Sequence, residues 1–222
     1  MDPAFFLQLG TVLKWVGIAL LPLFLLPLVT LVLPGLFERL AKRISDLIDR
    51  ISGVALGLAI FCAIALVLFQ LVVVVLRYTY GISYTWLNEL VIYAFAAMFM
   101  LGASSTLRDD GHVRVDILRP RFGADGRNWI ELAGIYFFLF PICIRILTAG
   151  EQGLARAWAL FEGSRESDGL PFLYLFKTLL PLFAVMMLTQ GLSESLKAAL
   201  RLTGRMPNEV PATSTTESAH GA

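Results

Sequence analysis

The sequence predicts an all-α integral membrane protein with four core transmembrane helices, an extra N-terminal hydrophobic helix and an amphipathic interfacial helix. Three observations lead there. Of 222 residues, 57% are hydrophobic and only 16% charged, against about 25% charged in soluble domains. Mean hydropathy is +0.74. Apolar runs also recur at lengths that cross about 30 Å of hydrocarbon at roughly 1.5 Å per residue. Five such runs occupy approximately residues 16–33, 51–76, 86–107, 129–148 and 170–192.

The first run, within a hydrophobic segment 1–34, is too long for a signal peptide and lacks a basic stretch before it or a small-residue cleavage site after it, so it is expected to stay. Pro22 and Pro27 should kink it, making a tilted or partly interfacial helix. Residues 35–50 come next. Phe37, Leu40, Ile44, Leu47, Ile48 and Ile51 recur at helical spacing with Arg39, Lys42, Arg43, Asp46 and Arg50 between them, which predicts an amphipathic helix on the inner leaflet.

Residues 51–204 form the four-helix membrane domain. Its first span shows Gly53-x-x-x-Gly57 and a stripe of Ala55, Ala59 and Ala63, the small-residue vocabulary of close helix contact. The next span ends at Asp109-Asp110-Gly111, where glycine can take the left-handed conformation. Asn128 and Glu131 have the spacing of a helix start, Pro141 and Pro181 should kink their helices, and Leu154, Trp158 and Phe161 suggest a short interfacial helix over 151–161. From 205 to 222 the chain is rich in Thr, Ser, Pro and Glu without periodicity, and reads as a disordered tail.

A net charge of +1 excludes a polybasic nucleic-acid binder. Cys62 and Cys143 lie in apolar runs and His112 and His220 are far apart, so disulfide, zinc and paired-haem chemistry are not expected. Ionisable residues inside spans are the natural candidates for a transport site. Glu89, Glu131, Arg145 and Lys177 all lie near a membrane surface, and none falls at the midplane, where a transporter places its substrate. Glu89 and Arg145 are candidates for an interhelical ion pair or a partner contact. His112, Arg114 and Asp116 alternate with Val113 and Val115, but no nucleophile or metal partner accompanies them, so a clamp or subunit contact is the expected role. No catalytic, cofactor-binding, metal or substrate residue is expected in this chain. A stand-alone membrane anchor and a channel-forming subunit of another complex are the alternatives; a channel would need a polar stripe along one span, and none is visible.

Trp86, Glu89, the Met98-Phe-Met-Leu-Gly-Ala103 run containing Gly102, Arg108, the His112-Val-Arg-Val-Asp116 motif, Gly169-Leu170-Pro171 and Gln190-Gly191 together resemble the small membrane subunit, of DctQ type, of tripartite ATP-independent periplasmic (TRAP) transporters. The resemblance covers about residues 45–204, and is strongest to the subgroup linked to mannitol, chloroaromatic and other organic-acid systems. It implies a scaffold bound to a large TRAP membrane subunit that carries substrate and sodium, with a periplasmic substrate-binding protein docking on the outer face and lipids around the rest. Glu89, Gly102, Arg108, His112, Arg114 and Asp116 would be structural or subunit-contact residues, with Gly53 and Gly57 packing helices.

Orientation follows from the cations, which are retained on the cytoplasmic side. Arg39, Lys42, Arg43, Arg50, Arg108, Arg114, Arg119, Arg121, Arg127, Lys197, Arg201 and Arg205 fall on one side, and only Lys14, Arg77, Arg156, Arg165 and Lys177 on the other. Trp15, Trp86 and Trp129 mark interfaces. The expectation is a multi-pass protein of the bacterial inner membrane, N-terminus periplasmic and C-terminus cytoplasmic. Reporter fusions after residue 80 or 160 should therefore read as periplasmic and fusions after 115 or in the tail as cytoplasmic; an external C-terminus would overturn this topology.

Overall fold

The structure, a computed structural model, describes residues 22–111 and 122–207, except for the side chain of Pro34. Helix α1 (Pro22–Val32) precedes α2 (Pro34–Tyr80), α3 (Thr85–Arg108), α4 (Gly123–Gly134), a π-helical turn (Ile135–Leu139), α5 (Phe140–Ala159) and α6 (Leu173–Leu202). Four stretches, Gly35–Tyr80, Thr85–Arg108, Gly123–Ala159 and Leu173–Leu202, are long and apolar enough to cross a membrane. The protein is an all-α membrane protein. The end near Gly81, where α2 turns into α3, and the end near Arg108, where α3 stops, serve below as reference points.

The helices outrun the apolar runs that predict them. The boundary expected at 50/51 is absent: amphipathic segment and span are one helix of 47 residues, about 70 Å long at 1.5 Å per residue. Helical continuity requires only that no residue break the hydrogen-bond ladder, and between Gly35 and Tyr80 there is no proline. The apolar face expected over 35–51 divides. Ile48 is buried and Phe37 and Ile44 pack against the core, whereas Leu40, Leu47 and Ile51 are exposed. The interfacial helix expected over 151–161 is likewise the end of α5, which runs without a break to Ala159.

Helix ends obey local chemistry. Gly81 takes a φ of 68° and closes α2. At the end of α3 the left-handed residue is Asp110, with φ 55°, rather than Gly111. Gly111 N–H donates to Thr106 O at 2.9 Å and Asp110 N–H to Leu107 O at 3.4 Å, the paired bonds of a Schellman stop; aspartate tolerates the left-handed region better than most side chains. The π-turn precedes Pro141, which has no N–H to give, and Phe140 N–H reaches back to Ile135 O across it.

The core is centred on the second half of α6, where nearly every residue from Ala184 to Arg201 is buried. Among the described residues α6 packs against α2, α3, α4 and α5, while neither α4 nor α5 approaches α2 or α3. The result is a slab with α6 in the middle. Gly191 allows a close approach there: an added Cβ would lie 2.5 Å from Leu139 Cδ2 and 3.2 Å from Phe140 Cε1. Helix α1 lies against the same region. Phe24 meets Phe140 edge-on at 4.9 Å, Tyr136 donates its hydroxyl hydrogen to the Phe24 carbonyl, and Thr30 and Pro27 are fully buried.

The glycines of the expected packing motif behave differently. Gly53 faces Arg108, whose Nη1 would lie 3.4 Å from an added Cβ, and Gly102 sits 3.7 Å from the Ala59 methyl; an added Cβ on Gly57 would meet nothing within 4 Å. The buried stripe is Ser52, Ala55 and Ala59. At Gly169 an added Cβ would lie 2.2 Å from Ser164 Oγ and 2.9 Å from Glu89 Oε1. Gly169→Ala should therefore lower thermal stability in detergent, by about 1–3 kcal/mol as overpacking does, and Gly57→Ala should leave it unchanged or slightly raised; the reverse order would show that the close approach is not at Gly169.

Candidate functional site

Near the Arg108 end, three helices contribute a closed polar network. Ser45, Asp49 and Ser52 lie on one face of α2, at spacings of four and three. On α6, Gln190, Ser193, Glu194 and Lys197 repeat at three and four. The helices run antiparallel, so the two rows interdigitate. Ser45 Oγ and Ser193 Oγ are 2.7 Å apart, and Ser193 Oγ donates to Asp49 Oδ1 at 2.9 Å. Ser52 Oγ donates to Gln190 Oε1 at 2.6 Å. The Gln190 amide nitrogen gives its hydrogens to Asp49 Oδ1 and Glu194 Oε1, both at 3.0 Å. Lys197 Nζ lies 2.8 Å from both Asp49 Oδ2 and Glu194 Oε1.

From α3, Ser105 Oγ donates to Ser52 O at 2.6 Å and Arg108 Nη1 to Asp49 O at 3.0 Å. Arg108 also forks onto Asp109 at 2.8 and 3.0 Å, and that bond holds the Asp109 carboxyl below its usual range. Glu194 is only 4% exposed. A carboxylate so buried is tolerated because Lys197 and Gln190 both donate to it. The two network carboxylates, Asp49 and Glu194, are thus matched by Lys197 and by the nearby Arg108. Asp49 Oδ1 and Oδ2 and Glu194 Oε1 all accept from donors of the same chain. Arg205 extends the antiparallel seam to Glu38 on α2 at 3.1 Å, and Arg201 ties α6 to Glu131 on α4 at 3.9 Å.

A second set of ties sits near Gly81. Glu89 on α3 accepts from the Ser164 hydroxyl and from Leu170 N–H at 2.6 Å, which fixes the loop between α5 and α6 from below. Ser164 N–H donates to Leu170 O at 2.9 Å, Trp158 Nε1 to Thr178 Oγ1 at 3.0 Å, and Lys177 pairs with Glu162. Tyr93 stacks on Phe176 at 4.7 Å.

These contacts revise several sequence expectations. Glu89 is satisfied by the loop, not by Arg145, which lies exposed on α5. Glu131 does not serve a helix start, because α4 begins at Gly123, and the carboxylate faces Arg201 instead. Arg108 and Gly102 lie in the α2–α3 contact. His112, Arg114 and Asp116 lie outside the described residues. Asp49, Ser52, Ser193, Glu194 and Lys197 were not anticipated. Their signal was present as matching polar rows at helical spacing on two segments, but nothing local pairs segments more than 130 residues apart.

Removing Lys197 leaves two carboxylates facing each other, whereas removing the Gln190 amide takes away neutral groups only, the donor to Asp49 and Glu194 and the acceptor of Ser52. Lys197→Met should cost about 3–5 kcal/mol and Gln190→Leu about 1–3 kcal/mol, read as the loss of thermal stability in detergent. A Lys197→Met variant as stable as the parent would show that the network does not hold α2 to α6.

A family model described as tripartite ATP-independent periplasmic transporters, DctQ component, matches residues 66–201. That range contains all of α3 to α5, the Gly81 end of α2 and the network residues of α6 up to Arg201. No curated protein and no solved structure matches the chain. The match and the four membrane-crossing helices agree, and the chain belongs to the DctQ component family of the tripartite ATP-independent periplasmic transporters.

Proposed function

We propose that this chain is the small scaffold subunit of a TRAP-type secondary transporter. It holds in place a large membrane subunit that carries out sodium-coupled uptake of an organic acid delivered by a periplasmic binding protein. The observation that carries this reading is the closed network. Glu194 Oε1, both Asp49 carboxylate oxygens, the Lys197 ammonium and the Gln190 amide nitrogen engage one another, and the Gln190 oxygen accepts from Ser52. A dehydrated carboxylate substrate or a sodium ion needs converging polar groups that are free to receive it. In this reading sodium and substrate belong to the partner, and this chain takes no cofactor. The Arg108 end faces the cytoplasm of an inner-membrane protein, because the cations gather there, and the Glu89-fastened loop faces the periplasm.

Reconstitution tests the division of labour. Liposomes with this chain, the large subunit and the binding protein should accumulate an organic acid under a sodium gradient, and liposomes with this chain alone should not. Accumulation by this chain alone would overturn the scaffold reading. Undiminished uptake in its absence would show it to be dispensable.

A further inference from the structure

The face of α2 turned away from α6 carries a regular ridge. Leu40, Leu47, Val54, Phe61, Leu68 and Val75 recur every seven residues, and each is between 46% and 68% exposed. A seven-residue repeat keeps a ridge on one side of a helix that packs lengthwise against another helix at a shallow angle. Over the apolar run, hydrocarbon alone would accept such a surface. The arm over 35–50 is different. There the exposed neighbours are Arg39, Arg43, Asp46 and Arg50, yet Leu40 and Leu47 keep the ridge going. Nor is the arm free to swing flat onto a leaflet, because its other face is fastened along α6 from Glu38–Arg205 at 3.1 Å to Ser52–Gln190 at 2.6 Å.

A cover that is apolar within the bilayer and continues past it in the same line is itself a membrane-crossing helix. A second copy of this chain fits poorly. Arg43 and Arg50 stand three residues beyond Leu40 and Leu47, at the other seam position of the repeat. Two copies in one orientation would be related by a two-fold axis along the membrane normal, with α2 helices parallel and like guanidinium groups opposite each other. The cover is therefore a different chain with negative charge at that level.

We propose that this ridge is the docking rail for a helix of the large membrane subunit, apolar across the bilayer and acidic where it passes Arg43 and Arg50. The proposal rests on the transporter reading above. Its test uses the two subunits co-expressed in membranes, with a photo-crosslinking residue placed singly at Leu47, at Phe61 or, as a control on α5, at Ile142, which is 57% exposed. Adducts with the mass of the large subunit should form from positions 47 and 61 and not from 142. The double variant Arg43→Glu/Arg50→Glu should lower the co-purified large subunit at least about tenfold, as like-charge juxtaposition costs several kcal/mol, and Arg43→Lys/Arg50→Lys should retain it. Adducts only with lipid, only with a second copy, or from 142 but not from 47 and 61 would overturn the rail. If the unsubstituted chain fails to co-purify with the large subunit, the transporter reading itself falls.

Discussion

Lys197, held between Asp49 and Glu194 and braced by Gln190, is the contact on which the rest of the bundle depends. Between apolar helices in lipid there is no hydrophobic force to select one pairing over another, since tails and leucines are equally apolar; close approach of small residues and interhelical hydrogen bonds do the selecting. Here the hydrogen bonds fix the antiparallel register of α2 and α6. Once that register is set, Glu38 meets Arg205, and Arg108 reaches the Asp49 carbonyl across the open space at Gly53. The length of α2 follows as well. Its arm remains helical beyond the apolar run because Ala41, Ser45 and Ile48 find α6 to pack against.

The two ends of the slab are fastened by different chemistry. Near Arg108 the ties are ionic and run between helices; near Gly81 they are a carboxylate gripping a loop. Glu89 takes one hydroxyl and one backbone donor from the segment between α5 and α6, and Gly169 is the residue small enough to let the loop close over it. Between these ends the apolar stretch of α2 is largely open, with Val54, Phe61 and Ile64 well exposed. Rigid ends and an open middle leave a broad apolar surface for lipid or protein while the helix positions stay fixed.

How much of this the sequence disclosed depends on the range of the interaction. The four core spans, the α3 stop and the disruption at Pro141 were legible because apolar length, backbone sterics and the missing proline N–H act within one segment; the first apolar run, by contrast, yields only the short helix Pro22–Val32 among the described residues. The stop itself shifted by one residue, to Asp110, because the left-handed position is set by where the ladder ends. Lys197 and Arg201 read as cations flanking a span because a charge count knows only the side of the membrane. Their carboxylate partners, Asp49 and Glu131, are distant in sequence and adjacent only after folding. Glu89 illustrates the same limit, since its partners belong to a loop whose path the local sequence does not fix. Gly53 and Gly57 were indistinguishable as a motif. Helix phase separates them, because one faces Arg108 and the other faces outward.

The network also bears on which parts can move. Sliding α6 along α2 by one residue shifts it by about 1.5 Å, enough to take bonds of 2.6 to 3.0 Å out of range at Ser52, Asp49, Ser193 and Lys197 together. Breaking a buried ion pair by itself costs about 3–5 kcal/mol, and each unsatisfied donor or acceptor adds about 1–3 kcal/mol. A one-residue shift in one direction sets Leu192 and Leu196 in place of Ser193 and Lys197, and in the other sets Gly191 and Ala198 in place of Gln190 and Lys197. A shear between α2 and α6 is therefore far costlier than moving both as one body. Any element that travels through the membrane beside this chain does so against a fixed wall.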